Sequence, residues 1–393
     1  MNFLRQTLDD FKQSGLLREM RQVDGPQGPT IRIGGRDVVC LCSNNYLSLA
    51  SHPELAEAAA RAAREFGCGS GASRLVSGTM AIHAELEAAI ARLKHREAAI
   101  LFPTGYMANV GAISALVSRE DAVIVDKLNH ASIIDGCRLS GAKLLVYPHC
   151  DPEKLDNVLR SAARYRRRLV ITDSVFSMDG DIAPLPDLAG VCAQHGAMLM
   201  IDEAHATGVL GAAGRGTEEH FGMLGDRRSA GIIVMGTLSK AIGSIGGFVA
   251  GSRELIDYLC NIARSFIYTT ALPPPACAAS LAAIREIERN SGPLAGLRAN
   301  IELLDGLLRD AGMIDRAGIA RPRATPIFPV HIGDVTKAMN VSRRLFDAGY
   351  LCPAIRPPTV PAGTSRLRVT VQAGHTERQI SDFAQALREA LRA

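Results

Sequence analysis

What this 393-residue chain lacks narrows what it can be. No stretch approaches the roughly 18 apolar residues of a membrane span, so we expect no membrane partner. The nine cysteines are scattered and form no C-x-x-C pair, which disfavours a disulfide framework and a zinc site, and we expect no metal. The amino terminus carries acidic residues rather than the pattern of a secretory signal, so we expect a reducing, cytoplasmic setting.

The chain also has no large excess of charge of one sign. The net charge is only +4, from 44 basic and 40 acidic residues, and gives no support to a nucleic-acid partner. Residues 202–205 spell DEAH, the magnesium-binding motif of one class of helicases. That function requires a phosphate-binding loop with a Gly-Lys dipeptide, and no Gly-Lys dipeptide occurs in the chain. A helicase-like nucleotide site is therefore excluded.

Helix and strand patterns alternate from residue 81 to residue 250. This alternation predicts an α/β fold with a mostly parallel sheet covered by helices on both faces. A helix is predicted over residues 1–22, and two long helices follow the prolines at 273–275. We therefore expect three parts: an N-terminal helix and strand segment (1–45), a large α/β domain (46–275) and a small C-terminal α+β domain (276–393). Some of the N-terminal segment is expected to join the C-terminal domain.

Two strand ends carry the residues that argue most for a chemical function. One buried strand ends in Asp202, with His205 three positions on, and Lys240 follows another in a glycine-rich bend. A pyridoxal-phosphate (PLP) enzyme needs such a lysine for a Schiff base and such a carboxylate to keep the pyridine nitrogen protonated. Thr237 offers a hydroxyl to the phosphate. Taken alone, the lysine could be a surface residue and the carboxylate a helix cap.

Other strand ends add weaker candidates. Gly105 and Tyr106 open a helix whose amides could bind phosphate, and an ordinary strand–helix turn explains them equally well. His130 could be a structural histidine or could stack on a planar cofactor. Arg366 and Arg368 share one face of an alternating strand, where an arginine could bind a carboxylate or face solvent.

Five ordered motifs make the chain resemble the α-oxoamine synthases, a family of fold-type I PLP enzymes. The motifs are SGASRL at 70–75, NHAS at 129–132, VFSMDGD at 175–181, DEAH at 202–205 and GTLSK at 236–240. The resemblance covers nearly the whole chain and implies a homodimer with active sites at the subunit interface. Non-catalytic partner subunits of this family would lack the lysine that stands here at position 240.

The resemblance also implies a role for each matched residue. Catalysis would fall to Lys240, His130, Asp202 and His205. The cofactor would be held by Gly105, Tyr106, His130, Ser177, Asp202, His205, Thr237 and Lys240, together with Thr269 or Thr270 from across the interface. Substrates would be bound by Arg18, Asn44, Thr359 and Arg368, and Arg21 could serve in place of Arg18.

The implied reaction is the decarboxylative condensation of an amino acid with an acyl thioester carried by CoA or an acyl carrier protein. Residues 354–369 resemble the members that join L-alanine to a pimeloyl thioester in biotin biosynthesis. Residues 129–138 also resemble members that join glycine to acetyl-CoA, so both substrate pairs stay open. One methyl group separates the two amino acids and is worth only about 1–3 kcal/mol of discrimination.

Overall fold

The computed structural model describes residues 2–289, 292–314 and 323–392. Helices in this part of the chain are α1 (Asn2–Gln13), α2 (Pro53–Phe66), α3 (Ala81–Leu93), α4 (Gly105–Leu116), α5 (Ala131–Ser140), α6 (Pro152–Ser161), α7 (Leu185–Gln194), α8 (Thr217–His220), α9 (Arg253–Ile262), α10 (Arg264–Ile267), α11 (Pro274–Arg289), α12 (Pro293–Asp310), α13 (Val335–Asp347) and α14 (Glu377–Arg392). Strands are β1 (Thr30–Ile33), β2 (Arg36–Cys40), β3 (Ala98–Phe102), β4 (Ala122–Asp126), β5 (Lys143–Tyr147), β6 (Arg168–Asp173), β7 (Met198–Asp202), β8 (Ile233–Thr237), β9 (Gly247–Gly251), β10 (Ile327–Gly333), β11 (Tyr350–Leu351), β12 (Ala354–Ile355) and β13 (Ser365–Thr370).

The chain divides into two compact units. The smaller unit comprises Met1–Ser48, Met178–Gly180 and Ala295–Ala393, and the larger unit comprises Leu49–Ser177 and Asp181–Leu294. The sequence placed α11 in the C-terminal domain, whereas the structure places it in the larger unit, where it packs on α2 and α3. The boundary at 275 therefore moves to 294, because the apolar face of α11 is buried against helices that lie far away in sequence.

A seven-stranded sheet forms the centre of the larger unit. Its strand order is β3-β9-β8-β7-β6-β4-β5, with β8, β7, β6, β4 and β5 parallel and β9 antiparallel to both of its neighbours. Strands such as β4 and β8 are buried at every position, which explains why they are continuously apolar. The predicted α/β fold with a mostly parallel sheet is confirmed.

Parallel order brings three strand ends together at one edge of this sheet. Asp173 at the end of β6 is the register partner of Asp202 at the end of β7, and Asp202 in turn pairs with Met235 of β8. The chain after β8 then turns back into β9. Gly243 in this turn has a φ of +74°, and a Cβ there would lie 2.6 Å from the backbone nitrogen of Ala50, so only glycine fits.

The described part of the smaller unit holds two three-stranded sheets. One has the order β1-β2-β11 and the other the order β10-β13-β12. Every position of β13 is buried, so of the two alternatives left open for the face of Arg366 and Arg368, the solvent-facing one is wrong. The strand lies between β10 and β12 and contacts α13.

Two further elements differ from their predicted form. Helix α1 ends at Gln13 rather than at residue 22, because Gly15 adopts a φ of +66° and its N–H bonds to the carbonyl of Lys12. From residues 350–355 the sequence pattern predicts a single strand, but the structure has two short strands there, of which β11 pairs with β2 and β12 with β13. In the described ranges, no helix is both long and apolar enough to cross a membrane.

Candidate active site

Lys240 and His205 meet beyond the ends of β8 and β7. The Nζ of Lys240 lies 2.8 Å from Nε2 of His205. His205 is buried and Lys240 is half-buried, so the amine is in contact with the interior of the larger unit rather than fully exposed to solvent. Two residues that the sequence singled out 35 positions apart are therefore brought within hydrogen-bond distance.

Asp202 is the buried carboxylate of this site. Its Oδ1 accepts a hydrogen bond from the backbone N–H of Ala204 at 2.9 Å, and its Oδ2 accepts one from Nδ2 of Asn109 at 2.8 Å. Its neighbour Asp173 is buried too, and burial together with the charge of Asp202 raises the pKa of Asp173 well above its usual value. Burial and the neighbouring carboxylate therefore disfavour the ionised form of Asp173.

His130 caps the N-terminus of α5 and belongs to the same cluster. Its backbone N–H donates to Asp173 at 2.9 Å, and its Nδ1 lies 2.8 Å from the hydroxyl of Ser132. Burial lowers the pKa of His130, and the charges of Asp202 and Lys240 act on it in opposite directions. The ring is therefore neutral and lies within electrostatic reach of both residues.

The N-terminus of α4 closes one side of the cluster. A Cβ on Gly105 would lie 3.2 Å from the Cβ of Thr237, so the first turn of α4 packs directly on the end of β8. Thr104 caps the helix by accepting from the N–H of Met107, which leaves the first helix amides for an anion. The hydroxyl of Thr237 lies 2.8 Å from both the carbonyl of Gly246 and the hydroxyl of Ser239.

The remaining predicted cofactor residues are placed as follows. The side chain of Tyr106 is half exposed, and its hydroxyl donates to Asp135 at 2.8 Å, so only its backbone amide faces the helix end. Ser177 follows the bridge between Val175 and Ile182. Thr269 and Thr270 follow α10 at the surface of the larger unit, and their predicted role across a dimer interface stays a prediction.

A second cluster lies in the smaller unit. Arg368 of β13 is buried, and its guanidinium donates to the hydroxyl of Tyr46 at 3.0 Å, which in turn donates to Oδ1 of Asn44 at 3.2 Å. Arg366, on the same strand face, forms an ion pair with Asp179 instead. The structure thus brings the predicted substrate residues Asn44 and Arg368 together and assigns Arg366 a different partner.

The two residues predicted for the acyl substrate also meet in the smaller unit. The guanidinium of Arg18 lies 3.4 Å from the hydroxyl of Thr359, 341 positions away. Arg21, the alternative, lies over the ring of Phe346 at 4.7 Å and is engaged there. The structure therefore favours Arg18 over Arg21 as the partner of Thr359.

One group of side chains has the composition of a metal site. Ligand atoms of Asp126, His149 and Cys150 lie within 4.8 Å of one another. Burial tends to lower the pKa of His149, but hydrogen bonds to Asp126 and Asp181 outweigh it and raise the pKa to about 12. Both ring nitrogens therefore carry hydrogens and have no lone pair for a metal ion. The absence of a bound metal stays a prediction.

Known proteins of similar sequence identify the family. The aminotransferase class I and II profile matches residues 36–387. The chain belongs to this aminotransferase family. It is 48% identical to the 8-amino-7-oxononanoate synthase of Anaeromyxobacter sp. strain K, covering 98% of this chain and 95% of that protein. Identity to the protein of the same name from Geobacter sulfurreducens is also 48%, over 97% of this chain and 95% of that protein.

Solved structures of family members superpose closely on this fold. Serine palmitoyltransferase from S. paucimobilis, with a bound PLP–myriocin aldimine, gives a TM-score of 0.91 at 33% identity, covering 99% of this chain and 96% of that chain. The 8-amino-7-oxononanoate synthase from Francisella tularensis gives 0.75 at 28% identity, over 90% and 98% of the two chains. The resemblance to the α-oxoamine synthases is thereby confirmed.

Sequence reasoning missed several residues of this aminotransferase-type site. Asn109, which binds Asp202, lies inside the apolar stretch of α4, where an isolated polar residue was the available signal. Asp173 ends β6 just as Asp202 ends β7, so its strand-end position could have singled it out. Lys94, paired with Glu203 at 3.0 Å in the interior, carries no local signal of burial.

Proposed function

We propose that this protein catalyses the reaction of 8-amino-7-oxononanoate synthases. L-Alanine would condense with a pimeloyl thioester to give 8-amino-7-oxononanoate, carbon dioxide and a free thiol, as a step of biotin biosynthesis. The observation that carries the proposal is the meeting of Lys240 and His205 next to the buried Asp202. The choice among family members rests on relatives of that name at 45–50% identity over nearly the whole chain.

The residues of the larger unit fit PLP. Lys240 supplies the amine that would hold the cofactor, and Asp202 supplies a carboxylate, fixed by two donors, for the pyridine nitrogen. His130 supplies a neutral ring to stack on the pyridine, and the first amides of α4 with Thr237 supply a phosphate site. When bound, PLP supplies an electron-accepting ring that stabilises negative charge on the substrate's α-carbon.

Proton transfer falls to the pair at the strand ends. The amine of Lys240 would take the proton from the α-carbon of the bound amino acid. Nε2 of His205, 2.8 Å from Nζ in this structure, would orient that amine. The buried setting excludes water, which would otherwise compete for the proton.

The smaller unit contributes the proposed substrate residues. Arg368, oriented by Tyr46, would bind the carboxylate of the amino acid in the bidentate manner of arginine, with Asn44 beside it. Arg18 and Thr359, which contact each other, would bind the acyl substrate. These roles follow the family resemblance. They are supported by the contacts that link Arg368 to Asn44 through Tyr46 and Arg18 to Thr359.

We further propose a cytoplasmic homodimer. All nine cysteines are free thiols, in keeping with a reducing compartment. The larger unit exposes Leu75, Val76 and Tyr268 on segments that are joined by a hydrogen bond from Ala271 N–H to the carbonyl of Ala72. Large apolar side chains exposed together are typical of subunit interfaces, and Thr269 lies beside them.

Thiol release tests the proposed reaction. The purified, PLP-loaded protein would be assayed with three substrate pairs: L-alanine with pimeloyl-CoA, glycine with acetyl-CoA, and L-serine with palmitoyl-CoA. Release with the first pair alone is the expected result. Preferential release with either other pair would overturn the proposal in favour of a relative with that specificity. Absence of thiol release with all three pairs would also contradict it.

Replacing the lysine tests the site itself. Lys240→Ala is expected to abolish turnover and the visible absorbance of the lysine-bound cofactor, because it removes the amine proposed to hold the cofactor. Circular dichroism of the variant checks that the fold is intact. A Lys240→Ala protein that kept both the absorbance and the turnover would show that the assignment of Lys240 is wrong.

A further inference from the structure

A chain of hydrogen bonds joins Asp202 to His130 through two buried residues. Nδ2 of Asn109, in α4, donates to Oδ2 of Asp202 at 2.8 Å and to the hydroxyl of Ser132 at 2.9 Å. The same hydroxyl lies 2.8 Å from Nδ1 of His130. Asn109 and Ser132 are both about 1% exposed, so water does not compete for these bonds.

The direction of each bond in the chain is determined. Asn109 uses both amide hydrogens, one for Asp202 and one for Ser132, so the Ser132 hydroxyl is an acceptor and keeps its own hydrogen. The backbone N–H of Ser132 also points at Nδ1 of His130, at 3.3 Å, which leaves no room for a hydrogen on that nitrogen. Nδ1 therefore accepts, and the single ring hydrogen of a neutral His130 sits on Nε2.

The orientation of the Asn109 amide is set by Asp202. Turning the amide over would point its oxygen at the carboxylate, which can only accept hydrogen bonds. In the observed orientation Oδ1 of Asn109 is buried without a hydrogen-bond partner. An unsatisfied buried acceptor is costly, and its retention shows that donation to Asp202 outweighs the loss.

We propose that Asn109 and Ser132 are positioning residues that fix the carboxylate of Asp202 and hold His130 as its Nε2–H tautomer. This assignment rests on the proposed function, since the fixed Asp202 would face the pyridine nitrogen and the neutral His130 would stack on the ring. The hydrogen-bond relay, from Asp202 through Asn109 and Ser132 to His130, lies within the larger unit and is present before any cofactor binds. The charged groups that act on the His130 ring are Asp202, Lys240 and Asp135.

The tautomer is measured first, on the full-length, cofactor-free protein. Nitrogen-15 NMR of histidine-labelled protein distinguishes Nδ1–H from Nε2–H, and the His130 signal is assigned as the one missing from His130→Asn. The wild type is expected to show Nε2–H. Ser132→Ala removes one donor to Nδ1 and is expected to raise the Nδ1–H to Nε2–H ratio about fivefold, the effect of one ordinary hydrogen bond.

Two matched variants separate positioning from general packing. Ser132→Thr keeps the hydroxyl and is expected to retain the wild-type tautomer. Ser280→Ala removes an equally buried hydroxyl, which bonds to the carbonyl of Ala276 at 2.8 Å in α11, and is expected to leave His130 unchanged. A wild type with hydrogen on Nδ1, or a Ser132→Ala protein with unchanged His130 signals, would overturn the relay.

PLP affinity of the cofactor-free protein is measured second. Asn109→Leu keeps the size of the side chain and removes the donor to Asp202, so the Kd for PLP is expected to rise about tenfold or more, the effect of one hydrogen bond to a charged group. Ser132→Ala leaves that donor in place and is expected to change the Kd by less than about threefold. An Asn109→Leu protein, shown to be folded by circular dichroism, with wild-type affinity contradicts the role assigned to Asn109.

The two measurements distinguish a failure of the relay from a failure of the proposed function. If the wild type bound no PLP but showed the Nε2–H tautomer with its response to Ser132→Ala, the proposed function would be wrong and the relay correct. If the wild type bound PLP and His130 did not respond to Ser132→Ala, the relay would be wrong and the proposed function would stand.

Discussion

Close backbone contacts leave no room for a side chain at position 247, next to the proposed phosphate-binding amides of the candidate site. A Cβ on Gly247, the first residue of β9, would lie 2.5 Å from the carbonyl oxygen of Thr104 and 2.7 Å from Cα of Gly105. Backbone atoms cannot move aside as a flexible side chain can, so any side chain at position 247 would displace the start of α4. The amides proposed to bind phosphate begin at that point.

Gly247→Ala is therefore expected to weaken PLP binding by about tenfold or more, since oriented amide donors contribute of the order of 1.5–3 kcal/mol each to a charged group. Fluorescence titration of the cofactor-free protein measures the Kd. Gly251→Ala is the matched control on the same strand, because its Cβ would meet only the end of the Leu255 side chain, which can turn away. Equal affinities for the two variants would contradict the phosphate site at α4.

The Asp173–Asp202 pair predicts a pH dependence of stability. The pKa of Asp173 is raised in the folded protein, by burial first and by the charge of Asp202 second. Between its unfolded and folded pKa values, the folded state holds a proton that the unfolded state has lost. The free energy of unfolding therefore falls as pH rises through that window.

Asp173→Asn removes this titration while keeping an oxygen for the His130 N–H. The cofactor-free variant is expected to lose less stability than the wild type as pH rises from about 4, the usual pKa of an aspartate, towards neutrality. Urea unfolding at several pH values measures it. Parallel pH profiles of the two proteins would show that Asp173 is ionised in the folded state.

At the scale of elements, a buried ion pair ties α3 to the strand ends. Lys94 follows α3, and its Nζ lies 3.0 Å from Oε2 of Glu203, with both side chains about 2% exposed. The other oxygen of Glu203 accepts from Thr217 N–H at 2.9 Å, at the start of α8. Glu203 directly follows Asp202, so this pair holds the turn that carries both Asp202 and His205.

Lys94→Met is expected to lower the free energy of unfolding by about 3–5 kcal/mol, because it leaves the charge of Glu203 buried without its partner. Arg32→Met is the matched control. Its ion pair with Asp37 has the same 3.0 Å separation but side chains 57% and 60% exposed, so the loss is expected to stay below about 1 kcal/mol. Denaturant unfolding compares them, and similar losses would mean that the Lys94 pair contributes nothing beyond a surface pair.

At the scale of the whole molecule, the proposed dimer depends on exposed apolar side chains. Val76 is 81% exposed and Tyr268 71% exposed, on neighbouring segments of the larger unit. Burying such side chains against a second copy would stabilise association by roughly 1.5–3 kcal/mol for each that is fully buried. The proposed contribution of Thr269 or Thr270 to the partner's phosphate site also requires that surface.

Val76→Asp combined with Tyr268→Asp is therefore expected to shift the protein from dimer to monomer, as measured by light scattering after gel filtration. Val146→Asp, on the edge strand β5 at the opposite end of the sheet from β3, is the control and is expected to remain dimeric. A double variant that stayed dimeric would place the interface elsewhere.

The predicted site residues came from different kinds of information. Lys240 and Asp202 follow apolar strands, and strand ends of a parallel sheet converge, so local pattern sufficed to place them together. The link between Arg18 and Thr359 spans 341 positions and was expected only from the family resemblance. Lys94 had no local signature, and Asn109 was marked only as an isolated polar residue in an apolar helix, because the importance of both comes from side chains on other elements.

The sequence by itself determined the identity and order of most helices and strands, since hydrophobic periodicity is a local property of the chain. It also determined the family, through five ordered motifs. Only the tertiary structure decided which unit α11 joins, that Asp173 pairs with Asp202, and that a hydrogen-bond relay connects Asp202 to His130. These features depend on strand register and helix packing, which are set by contacts between residues distant in sequence.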